Sequence, residues 1–325
     1  MKNSTFTMMM MPPLSSIQRD WAKRIQKENP DIHLLQPENI YQASEIISEA
    51  DAAFGVIPKE ALANAGRLRW LQAPQIAPPA GFYYKELIDH PVVVTNFREI
   101  FNDHIGAHIM AFVLAFSRGL HYYLPQQIER EYKPRPLNTG VIHLPEATAL
   151  IVGVGGIGCE AARLCSAFGM HVVGVDPRRI DLTEGLSELY TPEHLENLLP
   201  QADFVIMTIP HTPETEGLIN RRRLKLMKST GFLINIGRGM TVQLDDLVAS
   251  LQHREIAGAA LDVFEIEPLP SNHPLWAAPN VLITPHTAGF GPYLDDRRLN
   301  IILDNCKRFA RGEELQNIVN KTTWF

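Results

Sequence analysis

From Ile32 onward, short β-branched or apolar runs alternate with stretches whose apolar residues recur at helical spacing. Ile32–Leu35 reads as a strand, Ile40–Ala50 as a helix and Ala52–Val56 as a strand, with another helix after Pro58. Leu68–Gln72 and Val92–Thr95 read as two further strands. Strands separated by helices are joined by crossovers, so the residues before about 100 predict a small parallel sheet. Ahead of this series, Met8–Met11 and the following Pro12-Pro13 form an apolar run too short for a secretory signal. Residues 1 to about 14 therefore read as a loose tail.

Asn102 and Asp103 are good N-cap residues for a long apolar helix running to about Tyr123, with Pro125 just beyond as a stop signal. A helix of that length can tie two domains together. After Pro134, Pro136 and Pro145 a second series begins: strand Ala149–Val154, helix Ile157–Phe168, then strands His171–Asp176, Phe204–Ile209 and Phe232–Ile236. Helix Leu244–Gln252 and strands Ile256–Val263 and Val281–Thr284 complete it. Six strands with crossovers predict a doubly wound sheet. The last segment, helical from about Asp295 to Ala310, returns to the first domain.

The 325 residues are about twice the usual length of one domain, which agrees with two series and two cores. With 45% hydrophobic and 20% charged residues, the chain belongs with ordinary globular proteins. The formal charge of -6 leaves no basic field for a nucleic-acid backbone, and Arg221-Arg222-Arg223 is the one tight basic cluster. Cys159, Cys165 and Cys306 form neither a Cys-x-x-Cys pair nor an even disulfide framework, which points to a reducing compartment. Ile105–Leu120, the most apolar stretch, contains His108 and Arg118 and is no membrane span. A soluble, cytoplasmic protein is expected. His104 and His108 have metal-ligand spacing without a third ligand nearby, so packing or capping is expected and no metal.

Gly153-Val154-Gly155-Gly156-Ile157-Gly158 closes an apolar strand and opens an amphipathic helix. Glycines placed there allow a tight turn and close approach of backbone to a pyrophosphate, while the helix N-terminus offers amide donors and positive dipole. Asp176 ends the next strand, 18 residues after Gly158, where a carboxylate accepts hydrogen bonds from ribose hydroxyls and repels a 2'-phosphate. NAD is thus favoured, and Arg178 and Arg179 keep NADP open.

Three further segments place polar residues at the ends of apolar strands, where open α/β sheets put their ligands. In Ile234-Asn235-Ile236-Gly237-Arg238-Gly239 a guanidinium able to clamp a carboxylate is flanked by glycines that let backbone approach a ligand. The others are Asp262-Val263-Phe264-Glu265-Ile266-Glu267-Pro268 and Thr284-Pro285-His286-Thr287-Ala288-Gly289. Singly, they are a surface arginine, a solvated acidic turn and a loop histidine.

In this order behind the glycine turn, and with the Pro210-His211-Thr212-Pro213-Glu214-Thr215 loop, the chain resembles the D-isomer-specific 2-hydroxyacid dehydrogenase family over roughly residues 100 to 290. The resemblance implies a Rossmann coenzyme domain, residues 104–289, inserted in a smaller flavodoxin-like substrate domain, residues 1–103 and 290–325. It also implies a homodimer. By position, Arg238 would bind the substrate, and Glu267 would orient and charge His286, which would exchange a proton with the substrate oxygen. Gly153, Gly155, Gly156, Ile157, Gly158, Asp176, Pro210, Thr215, Ile236, Gly237, Asp262 and Gly289 would line the cofactor, Asp262 at the carboxamide. The chemistry agrees, because hydride arriving at C2 of a 2-oxo acid leaves negative charge on an oxygen that needs a cation and a proton donor.

The sequence departs from the family after Leu68-Arg69-Trp70-Leu71-Gln72. Where members carry a Ser-x-Gly-x-Asp turn, this chain reads Ala73-Pro74-Gln75-Ile76-Ala77-Pro78-Pro79, and its adjacent prolines donate no amides. Gln75, Ile76 and Ala77 remain as candidate carboxylate donors. Ala107 also stands where a glutamate is usual. Two alternatives share the scaffold: a dinucleotide-sensing, corepressor-like regulator and a phosphite dehydrogenase. A formate enzyme would carry glutamine in place of Glu267.

Overall fold

A computed structural model describes residues 5–76, 79, 81–136 and 140–322. The chain divides into two compact units, Met1–Ile100 with Pro292–Phe325, and Phe101–Gly291.

The first unit is built on five parallel strands: β1 (Phe6–Met10), β2 (Ile32–Leu35), β3 (Ala52–Phe54), β4 (Trp70–Gln72) and β5 (Val93–Thr95). Their order is β2-β1-β3-β4-β5, the flavodoxin-like arrangement. Helices Ser16–Glu28, Ile40–Ile46, Lys59–Leu62 and Lys85–Asp89 make the crossovers, and Leu294–Arg311 packs beside the first of these.

The expected loose tail is corrected here: β1 lies inside the sheet, with Met8, Met9 and Met10 each 0% exposed. A strand covered on both faces reads as a continuous apolar run with no alternation, so methionine repetition looks like low complexity in the sequence. Ser15 then starts helix Ser16–Glu28 with a capping box to Gln18. At the other end of the chain Val319 N–H donates to Val94 O at 2.8 Å, which ties the C-terminal segment to β5.

The second unit holds seven parallel strands: β6 (Thr148–Val152), β7 (His171–Val175), β8 (Glu188–Tyr190), β9 (Phe204–Met207), β10 (Phe232–Asn235), β11 (Gly258–Leu261) and β12 (Val281–Ile283). They run β12-β11-β10-β9-β6-β7-β8. Six strands were expected; β8 is the addition, a short edge strand whose exposed Glu188 and partly buried Leu189 and Tyr190 carry little apolar signal. The order reverses between β6 and β9, so the loops leaving those two strands diverge and open a crevice at their carboxyl ends. Separate apolar cores cover the two faces, one around Leu150, Val205 and Leu233, the other around Ile151, Ile206 and Ile234.

The single long helix expected to about Tyr123 is two helices, Asn102–Ser117 and Leu120–Ile128. Gly119 at φ 72 makes the break, a left-handed conformation open to glycine that hydrophobic periodicity does not register. Pro125 sits inside the second helix, not beyond the first. Asn102 and Asp103 are likewise the first helical residues, with Phe101 at the cap position.

If β1 is an inner strand, Met9→Ala should destabilise the protein by about 2–5 kcal/mol, the usual cost of truncating a fully buried long side chain. Urea unfolding followed by circular dichroism measures it. A midpoint equal to that of the unaltered protein would return this segment to the status of a tail.

Candidate active site

The glycine turn leaves β6 at the point where strand order reverses. Gly153 has φ +95, and a Cβ on Gly158 would lie 2.0 Å from the Gly153 carbonyl oxygen. Turn and helix therefore meet backbone to backbone, and Thr208 Oγ1 braces the contact by donating to Gly153 O at 2.5 Å. Around Gly155, by contrast, no atom lies within 4 Å of the space a Cβ would fill. Gly155 caps helix Gly156–Ala167 with no side-chain hydrogen bond, so the first amides of the helix and an open backbone edge fit a pyrophosphate.

Asp176 stands at the end of β7, 6% exposed. Its Oδ2 accepts from Val154 N–H at 2.8 Å, and its Oδ1 accepts from the N–H groups of Arg178 at 2.8 Å and Arg179 at 2.9 Å. Burial pushes the carboxyl upward, but these amides and the Arg178 charge together hold it below its ordinary value. Arg179 Nε donates back to Val154 O at 2.8 Å. Val154, Gly155, Asp176, Arg178, Arg179 and Asp181 line a cavity of about 350 Å³.

The next loops are braced from within. Thr215 Oγ1 donates to Pro210 O at 2.8 Å and accepts from Thr212 N–H at 2.7 Å, closing the loop after β9. His211 pairs with Glu216 at 3.3 Å on the surface. Ile157 packs partly against the core, and Ile236, 5% exposed, donates its N–H to Met207 O.

The glycines flanking Arg238 let the protein's own backbone segments approach one another. A Cβ on Gly237 would lie 2.5 Å from Ile209 O, and one on Gly239 would lie 1.8 Å from the carbonyl carbon of Phe264. The second contact presses the Arg238 loop against the loop that carries Glu267. Asn235, fully buried at the end of β10, donates to Arg238 O at 3.1 Å, and Thr241 Oγ1 donates to the same oxygen at 2.7 Å. Arg238 itself remains exposed to solvent. Protein packed around the guanidinium lowers its pKa, and Glu267 opposes that shift; even so it stays charged.

Glu267 and His286 meet directly. Glu267 Oε2 lies 2.7 Å from His286 Nδ1, and Oε1 accepts from Phe264 N–H at 2.9 Å. Both side chains keep solvent access, 52% for His286 and 35% for Glu267, so the free edge of the imidazole can face a ligand. Glu265 anchors the same loop by accepting from Leu244 N–H at 2.9 Å, at the start of helix Leu244–Gln252.

Asp262 is 1% exposed, and both of its carboxylate oxygens are engaged inside the protein, with Thr284 and with the amides of Thr287 and Ala288. Thr284 and His108 belong to this network; the sequence put Thr284 at the head of a candidate segment without a role of its own and left His108 to packing or capping. Their only signal was a polar residue closing an apolar strand and a histidine inside an apolar helix. Gly289 packs on Phe101, its would-be Cβ 3.2 Å from that ring. Arg238, Glu267 and His286 thus converge within the second unit. Gln75 and Ile76 follow β4 in the first unit, where Ile76 O accepts from Asn96, and Ala77 lies outside the described residues.

A doubly wound sheet with an open glycine turn at its switch point, an arginine and a carboxylate-bound histidine defines an oxidoreductase that uses a nicotinamide dinucleotide. Residues 110–288 match the family described as D-isomer specific 2-hydroxyacid dehydrogenase, NAD binding domain, and this chain belongs to that family. It is similar to a glyoxylate reductase of Pyrococcus horikoshii, 34% identical over 279 residues, 82% of this chain and 80% of that enzyme. Glyoxylate reductases of Korarchaeum cryptofilum and Aeropyrum pernix match over 51% and 53% of their own lengths. Among solved structures, a D-isomer specific 2-hydroxyacid dehydrogenase family protein of Aeromonas salmonicida superposes with TM-score 0.77 at 30% identity, over 98% of this chain and 100% of that one. The enzyme of Xanthobacter autotrophicus, in complex with NADPH and MES, does so with TM-score 0.82 at 26% identity, over 99% and 100%. Among the described residues no helix is long and apolar enough to cross a membrane.

A side chain at Gly158 has nowhere to go but into the glycine turn. Gly158→Ala should weaken NADH binding by at least about tenfold, or about 1.4 kcal/mol, in a titration read by nicotinamide fluorescence. Unchanged affinity would place the dinucleotide elsewhere.

Proposed function

We propose that this protein reduces a small 2-oxo acid to the D-2-hydroxy acid with NADH, and runs the same path in reverse. The observation that carries the reading is the 2.7 Å contact of His286 Nδ1 with Glu267, beside an arginine close enough for Glu267 to act on its charge. Bound at the glycine turn, the dinucleotide supplies the hydride that C2 receives. Arg238 holds the carboxylate and polarises the carbonyl oxygen. With Nδ1 engaged by Glu267, Nε2 of His286 is the atom that hands its proton to that oxygen as negative charge develops there. Glu267, held at Nδ1, orients the ring so that Nε2 is turned to the substrate oxygen. In oxidation the hydroxyl proton returns to Nε2.

Gly153, Gly155, Gly156, Ile157 and Gly158 hold the dinucleotide in this reading, with Pro210, Thr215, Ile236, Gly237, Asp262 and Gly289 around its nicotinamide half. The ionised Asp176 carboxylate in the adjoining cavity supports NAD over NADP, since it repels a 2'-phosphate. Gln75, Ile76 and Ala77 are the proposed carboxylate donors of a substrate domain formed by the first unit. Glyoxylate, the substrate in the names of the Pyrococcus relative and others, is the first acid to try. Three unpaired cysteines support a cytoplasmic setting. Leu120, Leu124 and Ile128, exposed at intervals of four along one helix, support a homodimer.

A panel of small 2-oxo acids with NADH or NADPH, followed by loss of nicotinamide absorbance, tests the activity. His286→Ala should lower kcat by about 10²–10⁴-fold, the usual contribution of a general acid, while leaving NADH binding in place; wild-type turnover in that variant would remove His286 from the chemistry. Glu267→Gln, which keeps the size of the side chain and loses the carboxylate that orients the ring, should lower kcat by about tenfold or more while NADH affinity holds. An unaltered kcat would dissolve the pair.

A further inference from the structure

The imidazole of His286 rides on backbone that would not hold itself in place. His286 has φ 55, a left-handed conformation that is unfavourable for a non-glycine residue and persists where the surroundings over-determine it. Asp262 supplies most of that constraint. Its carbonyl accepts from His286 N–H at 2.8 Å, its Oδ1 from Thr287 N–H at 2.8 Å and its Oδ2 from Ala288 N–H at 2.9 Å. Three successive amides of the turn are therefore held by one residue, and the carboxylate reaches its two only in one rotation.

Thr284 sets that rotation, its hydroxyl donating to Asp262 Oδ1 at 2.6 Å. With the hydroxyl proton committed, Thr284 Oγ1 accepts from His108 Nε2 at 3.0 Å, which places the His108 proton on Nε2. Burial pulls the pKa of His108 below its ordinary value, against the opposing effect of Asp262, so at neutral pH the ring is an uncharged donor. The edge of His108 against Phe112, centroids 4.7 Å apart, holds the ring in place.

We propose that Thr284 and His108 are positioning residues for proton transfer: through Asp262 they lock the turn that keeps His286 aligned with Glu267. The proposal rests on the reading of His286 as the acid–base group. Loosening the turn misplaces the ring while the glycine turn that would hold the pyrophosphate stays intact, so rate falls further than dinucleotide affinity.

The test compares Thr284→Val, which keeps shape and loses the hydroxyl, with Thr284→Ser, which restores it. Thr284→Val should lower kcat for 2-oxo acid reduction by about 10–100-fold, the scale of a small misplacement of a reacting group. NADH affinity by fluorescence titration should fall less than kcat, by no more than about fivefold, or about 1 kcal/mol, and Thr284→Ser should recover most of kcat. In parallel, ¹⁵N shifts of the histidine rings at pH 7 should show His286 in Thr284→Val moving toward its signal in Glu267→Gln, and Thr284→Ser should keep the unaltered shifts. His108→Leu, which leaves Thr284 in place, should reproduce a smaller change in the same direction and serves if Thr284→Val does not fold. Unaltered His286 shifts in Thr284→Val and His108→Leu would overturn the proposal, as would a loss of NADH affinity as large as the loss of kcat. If the unaltered protein turns over no 2-oxo acid, the proposed function falls, and the ring shifts alone still decide the positioning.

Discussion

Parallel strands can be joined only by crossovers, so every loop that follows a strand in the second unit emerges at the same edge of its sheet. That constraint gathers residues far apart in the chain. The glycine turn follows β6, Asp176 follows β7, the Pro210–Thr215 loop follows β9, Arg238 follows β10, Asp262 and Glu267 follow β11, and His286 follows β12. Reversal of strand order between β6 and β9 then parts the loops of the two halves and leaves a crevice along that edge.

Convergence alone would leave the groups approximate, and the loops are fixed by contacts among themselves. A backbone approach at Gly239, where no side chain fits beside Phe264, brings the Arg238 and Glu267 loops together. Glu265 and Phe264 hold the Glu267 loop from both sides, and Asp262 holds the His286 turn by its amides. The result is a half-exposed imidazole on a tightly held backbone, which suits a group that must reach a substrate and keep its geometry.

Most of the second unit was legible because its signals are local. Apolar runs of strand length, the Gly153–Gly158 turn and the polar residues closing β10, β11 and β12 all follow from side-chain types a few residues apart. The observed strands end one or two residues earlier than the apolar runs, at the positions where Val154, Asp176, Ile236 and Thr284 leave the ladder. Misreadings came where a long-range partner decides. Burial of Met8–Met10 depends on β2 and β3 closing over them from either side. The break at Gly119 depends on a backbone angle, and β8 depends on β7 accepting an edge.

The sequence by itself determined the alternation of strands and helices, the glycine turn and the identity of the polar residues beyond the strand ends, because each is written in neighbouring side chains. Tertiary structure alone decided that the methionine run is a strand, that the glycines beside Arg238 make room for backbone, and that Asp262 turns its carboxylate toward Thr284 and the His286 turn. Those outcomes depend on atoms brought together from more than twenty residues away, and no local pattern of apolar and polar positions records which partner arrives.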